Sequence, residues 1–120
     1  MLATDGPQAG HLDGGKLAAA GHLEGALTTV GLFSTCRDDR LKAGVILSGD
    51  SVGFESAMSG PPAPLLFAHG DQDHLTPIAL DRHTFPWPKA FLTLRGEGHT
   101  DPYLKESDPS FAIAAAVTTD

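Results

Sequence analysis

The sequence predicts an α/β fold of about four parallel strands with flanking helices. Three observations carry that prediction. Short apolar runs at 16–21, 41–47, 64–69 and 89–94 are separated by stretches with helical patterning or turn chemistry. The run Ala43-Gly44-Val45-Ile46-Leu47 is apolar without alternation, the signature of a strand covered on both faces, as in a parallel sheet. No internal repeat interrupts the alternation of strand and helix, which implies crossover connections.

The chain of 120 residues with 41% apolar content suits one domain with a real core, although a chain of this size buries only about two-thirds of its surface. A net charge of −7 leaves no basic stripe to neutralise phosphates, which argues against nucleic acid and against an anionic membrane surface. No run approaches the roughly 18 apolar residues of a membrane span. The first residues lack the basic and apolar regions of a secretion signal, so a soluble, untargeted chain is expected and its compartment stays unknown. The single cysteine, Cys36, excludes an internal disulfide.

Residues 1–15, rich in Gly, Asp, Pro and Gln, form a flexible N-terminal arm, and 16–120 form the single domain. His11, in the arm, is a solvated histidine. The first strand, 16–21, meets a sharp turn at His22-Leu23, and a buried helix follows over about 24–34, with Leu27, Val30, Leu32 and Phe33 as its apolar positions. Gly21 and Gly25 leave this turn no bulk to clash. A charged turn at 36–40 leads into the second strand, 41–47. The tract 48–64, heavy in Gly, Ser and Pro, is a long loop of the kind that is more often functional or mobile than incidental.

The third strand, 64–69, runs into Gly70-Asp71-Gln72-Asp73-His74, and Thr76-Pro77 supplies an N-cap and first turn for a short helix through Arg82. Asp71 is a turn residue that holds its own loop by an Asx-type bond. Trp87 and Phe85 are packing residues. The fourth strand, 89–94, is followed by Arg95-Gly96-Glu97-Gly98-His99-Thr100, and a last helix occupies about 102–118.

Asp73 and His99 each lie just past the carboxyl end of a strand, and in a parallel sheet those ends share one edge, where sites form. An aspartate accepting from Nδ1 would fix the imidazole tautomer and leave Nε2 free to take a proton. A plainer reading has Asp73 capping the helix at Pro77 and His99 in a surface turn. Both stay open on the residues alone, since geometry must decide. Asp71, Asp73, His74 and His83 are hard ligands in type, but their spacing matches neither zinc nor calcium patterns, so no metal site and no cofactor are expected. His22-Leu23-Glu24 has the H-x-E form of zinc deaminases, whose second motif needs two cysteines.

Taken in order, Gly21-His22-Leu23-Glu24-Gly25, His69-Gly70-Asp71-Gln72-Asp73 with Pro77, and Gly96-Glu97-Gly98-His99 resemble the elbow, acid loop and histidine loop of the α/β-hydrolases. The chain is similar to bacterial lipases and esterases of the dienelactone-hydrolase-like sort over about residues 16–118. The resemblance implies a partial α/β-hydrolase fold lacking its N-terminal half, with Asp73 as triad acid, His99 as general base and the Glu24 backbone N–H as oxyanion donor. It implies a serine carboxylic-ester hydrolase acting on a small-molecule ester. Leu23 stands where that family has serine, and its side chain has no lone pair to attack a carbonyl. The loop that donates the family's second oxyanion N–H belongs to the missing half.

Ser48, Ser51, Ser56 and Ser59 lie in or beside the long loop, none in an elbow, so they are weak substitutes, and a water polarised by His99 offers only slow catalysis. Very low activity follows. The alternative is a non-catalytic remnant or interaction module. The strand ending at Gly21 loses one neighbour with the missing half, and its apolar edge, Leu17 to Ala20, predicts a homo-oligomer.

Overall fold

A computed structural model describes residues 6–7, 9–35, 37–49, 57–76 and 86–119. Among them a four-stranded parallel sheet runs in the order β1 (Leu17–His22), β2 (Leu41–Leu47), β3 (Leu65–Gly70), β4 (Lys89–Leu94). The strands step in one direction, so β1 and β4 are the edges and all four carboxyl ends share one rim. The α/β architecture expected from the sequence is therefore present.

Pairing Ala19 with Gly44, Gly44 with Leu65, and Ile46 with Phe67 puts one alternate set of side chains on a common face. Helix α1 (Glu24–Leu32) covers that face, and Ala26, Val30, Phe33, Ile46, Leu65 and Phe67 form the core between them. Each large apolar side chain buried there contributes about 1.5–3 kcal/mol. Gly44 is required by this packing, because a Cβ would come within 2.6 Å of Leu65 and 2.9 Å of Phe33. Phe67 and Phe91 stack at 5.3 Å on the same face.

The opposite face carries Ala18, Ala20, Ala43, Val45, Leu66, Ala90 and Leu92 in register. Its cover is a short C-terminal helix, which leaves a groove of about 550 Å³ bounded by Ala18, Val45, Leu66, Ala90 and Val117. Continuous apolar character in the strands correctly indicated two apolar faces, one of which is only partly roofed.

The expected last helix is two helices, α2 (Asp101–Leu104) and α3 (Phe111–Thr119). Lys105 turns extended at φ −117°, ψ 100°, and Pro109 cannot supply the N–H a continuing helix needs, while it also disfavours helical geometry at Asp108. The chain restarts where the Asp108 carboxylate accepts from Ser110 N–H at 2.8 Å. In the arm, Ala9–His11 form a 3-10 turn rather than plain loop. Helix α1 stops at Leu32, two residues short of the expected end. The helix expected from Pro77 to Arg82 lies outside the described residues, as do Cys36, Ser51, Ser56, His83 and Phe85.

Arg37 was legible only as part of a charged turn, yet its guanidinium lies 5.0 Å from the Phe33 ring and 5.5 Å from Trp87, and donates to Pro61 O at 2.9 Å. It closes the lower end of the core. Trp87 meets Phe33 edge-on at 6.1 Å, in the packing role expected of it.

Candidate active site

At the end of β1 the chain reverses through Leu23, whose φ of 56° and ψ of −116° lie in a region that costs a non-glycine residue about 1–3 kcal/mol. Its surroundings hold it there. Leu23 N–H donates to Leu47 O at 3.2 Å, and Leu23 O accepts from Ala26 N–H at 3.0 Å in the first turn of α1. Gly21 makes the close approach possible: a Cβ on it would lie 2.0 Å from Gly25 O. Gly25 has no such duty, since a Cβ there meets nothing within 4 Å, so the expectation that both glycines relieve a clash holds for Gly21 alone. Leu23 is 43% exposed at the tip of the turn. Glu24 is the first residue of α1, so its N–H points out of the helix end unpaired by the helix and carries the positive end of the dipole.

The loops after β3 and β4 are bound to each other. A Cβ on Gly70 would lie 2.1 Å from Glu97 O, so only glycine admits this contact. Asp71 does not close its own loop as expected; its carboxylate accepts from Gly96 N–H at 2.7 Å and so ties the acid loop to the histidine loop. The tight approach at Gly70 is what puts Gly96 within reach. Gln72 N–H adds a bond to Glu97 O at 2.9 Å, and Gly96 takes a φ of 78° that favours glycine.

Asp73 and His99 come together in this frame, with His99 Nδ1 2.8 Å from Asp73 Oδ2. Asp73 is also bonded within its own turn. Its Oδ1 accepts from Leu75 N–H at 2.9 Å and Thr76 N–H at 3.2 Å, and Oδ2 also accepts from the Thr76 hydroxyl at 2.9 Å. Burial pushes the carboxyl pKa up, but the bonds from His99, Thr76 and Leu75 outweigh it and hold the group at about 2. It is thus a carboxylate at neutral pH. An acceptor-only partner leaves the hydrogen on Nδ1 and a lone pair on Nε2. His99 Nε2 is buried and has no hydrogen-bond partner among the described residues.

Two supports carried no sequence signal. Tyr103 donates to Ala68 O at 2.8 Å, its hydroxyl receives Ser48 Oγ–H at 3.3 Å, and burial pushes its pKa up. Thr76 Oγ1 also lies 3.0 Å from Ser48 O, so its single hydrogen is shared between that carbonyl and Asp73 Oδ2. Ser48 is fully buried at a φ of 43°, a structural node rather than an exposed nucleophile, and Ser59 is exposed away from any elbow. His11 and His74 are exposed, and His69 is buried within β3. Among the described residues no three His, Cys, Asp or Glu side chains gather in a metal-binding group, and no helix is long and apolar enough to cross a membrane.

The sheet order, the elbow turn and the paired loops define a partial α/β-hydrolase fold, and comparison with solved structures bears this out. The chain is similar to esterase PE8 (TM-score 0.67, 22% identity), covering 92% of this chain and 52% of that one. It is similar to a predicted CIB-like hydrolase from Thermoplasma acidophilum (TM-score 0.67, 16% identity; 88% and 50% covered). A thermophilic esterase from the Planctomycetes species Thermogutta terrifontis, with propionate bound, also matches (TM-score 0.64, 11% identity; 87% and 54% covered). The chain spans about half the length of these structures. No family profile and no curated protein matches it at the level of sequence.

Proposed function

We propose that this chain is the scaffold of a carboxylic-ester hydrolase in which Asp73 is the triad acid, His99 the general base, and Leu23 occupies the nucleophile position. The observation that carries the reading is the 2.8 Å His99–Asp73 bond, on a rim that also holds a strained strand-to-helix turn. A serine at that turn would attack the ester carbonyl, pass its proton to His99 Nε2, and expel the alcohol as His99 returns that proton. Water would then hydrolyse the acyl-enzyme by the same route. Glu24 N–H would stabilise the oxyanion.

With leucine there, the chain as it stands is expected to be nearly inert. Knockouts of the triad in serine proteases retain about 10³–10⁴ over water, largely from an intact oxyanion hole. Leu23→Ser tests the reading: a fluorophosphonate should label Ser at position 23, and a short p-nitrophenyl ester should turn over. Adding His99→Ala should abolish both. A folded Leu23→Ser chain that neither labels nor turns over would sink the proposal.

A second reading, a non-catalytic module that associates through its sheet edge, rests on β1. Its Ala18 and Ala20 are exposed on an edge strand. It requires concentration-dependent self-association, and a monomer at all concentrations by light scattering would exclude it.

A further inference from the structure

The loop that carries His99 leaves the sheet at β4, whereas the elbow turn ends β1, three strands away across the sheet. At an interstrand spacing of about 4.8 Å the histidine must reach back roughly 14 Å to stand over Leu23. Asp73, on the loop after β3, anchors the imidazole from one side. Something must anchor the histidine loop at the far end. His22, the last residue of β1, has its Nε2 2.9 Å from the carbonyl oxygen of His99. Its ring lies 5.2 Å from the His99 ring, tilted by 44°, and 5.4 Å from Tyr103.

We infer that His22 is a positioning residue: its Nε2–H clamps the histidine loop onto the elbow strand, and His22 and His99 therefore hold opposite tautomers. A carbonyl oxygen only accepts, so the hydrogen of His22 must sit on Nε2. A carboxylate likewise only accepts, so the hydrogen of His99 must sit on Nδ1. The backbone of His99 is gripped by β1 and its ring by the acid loop. Two grips fix both where the imidazole stands and which way Nε2 points; either alone leaves a rotation free. The inference deepens the reading of Asp73 and His99 as a pair, on which it rests.

Histidine ¹⁵N NMR on the unaltered chain needs no catalytic activity. It should show His22 protonated on Nε2, and His99 protonated on Nδ1 with a downfield, slowly exchanging Nδ1–H. His22→Ala and His22→Phe, the second keeping a ring, should each speed exchange of that His99 proton about ten-fold, the equivalent of one neutral hydrogen bond. His22→Gln, which can donate from a similar reach, should restore it. An Nδ1-protonated His22, or a His99 proton unmoved in both His22→Ala and His22→Phe, would overturn the inference. Absence of the His99 Nδ1–H signal in the unaltered chain would instead remove the pair itself. In a Leu23→Ser background, His22→Phe should lower kcat with KM unchanged, and His22→Gln should recover it.

Discussion

The two faces of the one sheet are finished to different degrees. Towards α1, Ile46, Phe67, Phe33 and Val30 have no exposure at all, and the packing is tight enough that Gly44 admits no methyl group. Towards α3, Val45, Leu66 and Leu92 are half-covered and Ala18, Ala20 and Ala90 are open. Leu23, at the strand-to-helix turn, is tied to Ala26 in the first turn of α1 and to Leu47 in β2. The rim that carries the candidate site is braced from both sides, since Tyr103 of α2 bonds Ala68 O and packs against His22, but only the α1 face is closed along its whole length.

The strongest test of that difference uses neighbours on β3. Phe67→Ala empties the closed core and should cost about 3–5 kcal/mol, enough to unfold much of the population. Leu66→Ala, one residue earlier and on the open face, removes a partly exposed side chain and should cost about 1–2 kcal/mol. Urea denaturation followed by circular dichroism measures both. Equal losses would mean that the open face is a core in its own right.

The elbow supplies a second contrast. Gly21→Ala drives a methyl group to 2.0 Å from a backbone oxygen that cannot move without unwinding α1, and should cost about 3 kcal/mol. Gly25→Ala meets open space inside a helix and should stabilise by about 0.5–1 kcal/mol. Similar midpoints for the two variants would show that the turn is looser than its dihedrals imply.

Acid titration sharpens the rim itself. Asp73 is held at about 2, below the ordinary 3.8, so it contributes stability above the unfolded value that is lost as pH falls through the folded one. The loss should span about pH 4 to 2 and amount to about 2 kcal/mol. Asp73→Asn should show no such loss in that window. A parent chain whose stability is flat from pH 4 to 2 would contradict the buried, fully bonded carboxylate.

Much of this was legible in the sequence because it is local. Apolar runs give strands, and the carboxyl ends of parallel strands give one rim, past which Leu23, Asp73 and His99 fall. What was hidden depends on distance across the sheet. Asp71 reads as a turn residue because Gly96, its partner, is 25 residues away on a loop that only the tight approach at Gly70 brings near. Tyr103 and Ser48 meet across 55 residues, and nothing in either neighbourhood marks them. Pro109 was a local signal, and it overrode the helical character of its alanine-rich surroundings, as proline does wherever a helix needs its N–H.

The smallest expected effect on stability bears on what the unfinished side does. Ala18 and Ala20 are exposed on β1, an edge strand beside the groove. A lysine on an edge strand reaches water without crossing the sheet, so Ala18→Lys and Ala20→Lys should shift stability by less than about 0.5 kcal/mol. The same charges should repel a second strand laid against that edge. If the chain associates through β1, the double variant should be monomeric by sedimentation at concentrations where the parent is not, with an unchanged urea midpoint in dilute solution. Association that survives both lysines would move the contact away from β1, to the groove beneath α3, where Leu66→Lys then becomes the discriminating change. A lysine there faces the half-covered surface of Val45 and Val117 rather than open water. Ala18 also borders the groove, so the double lysine variant tests the β1 corner as a whole, and Leu66→Lys, which leaves the edge strand untouched, separates a face-to-face stack from an edge-to-edge sheet.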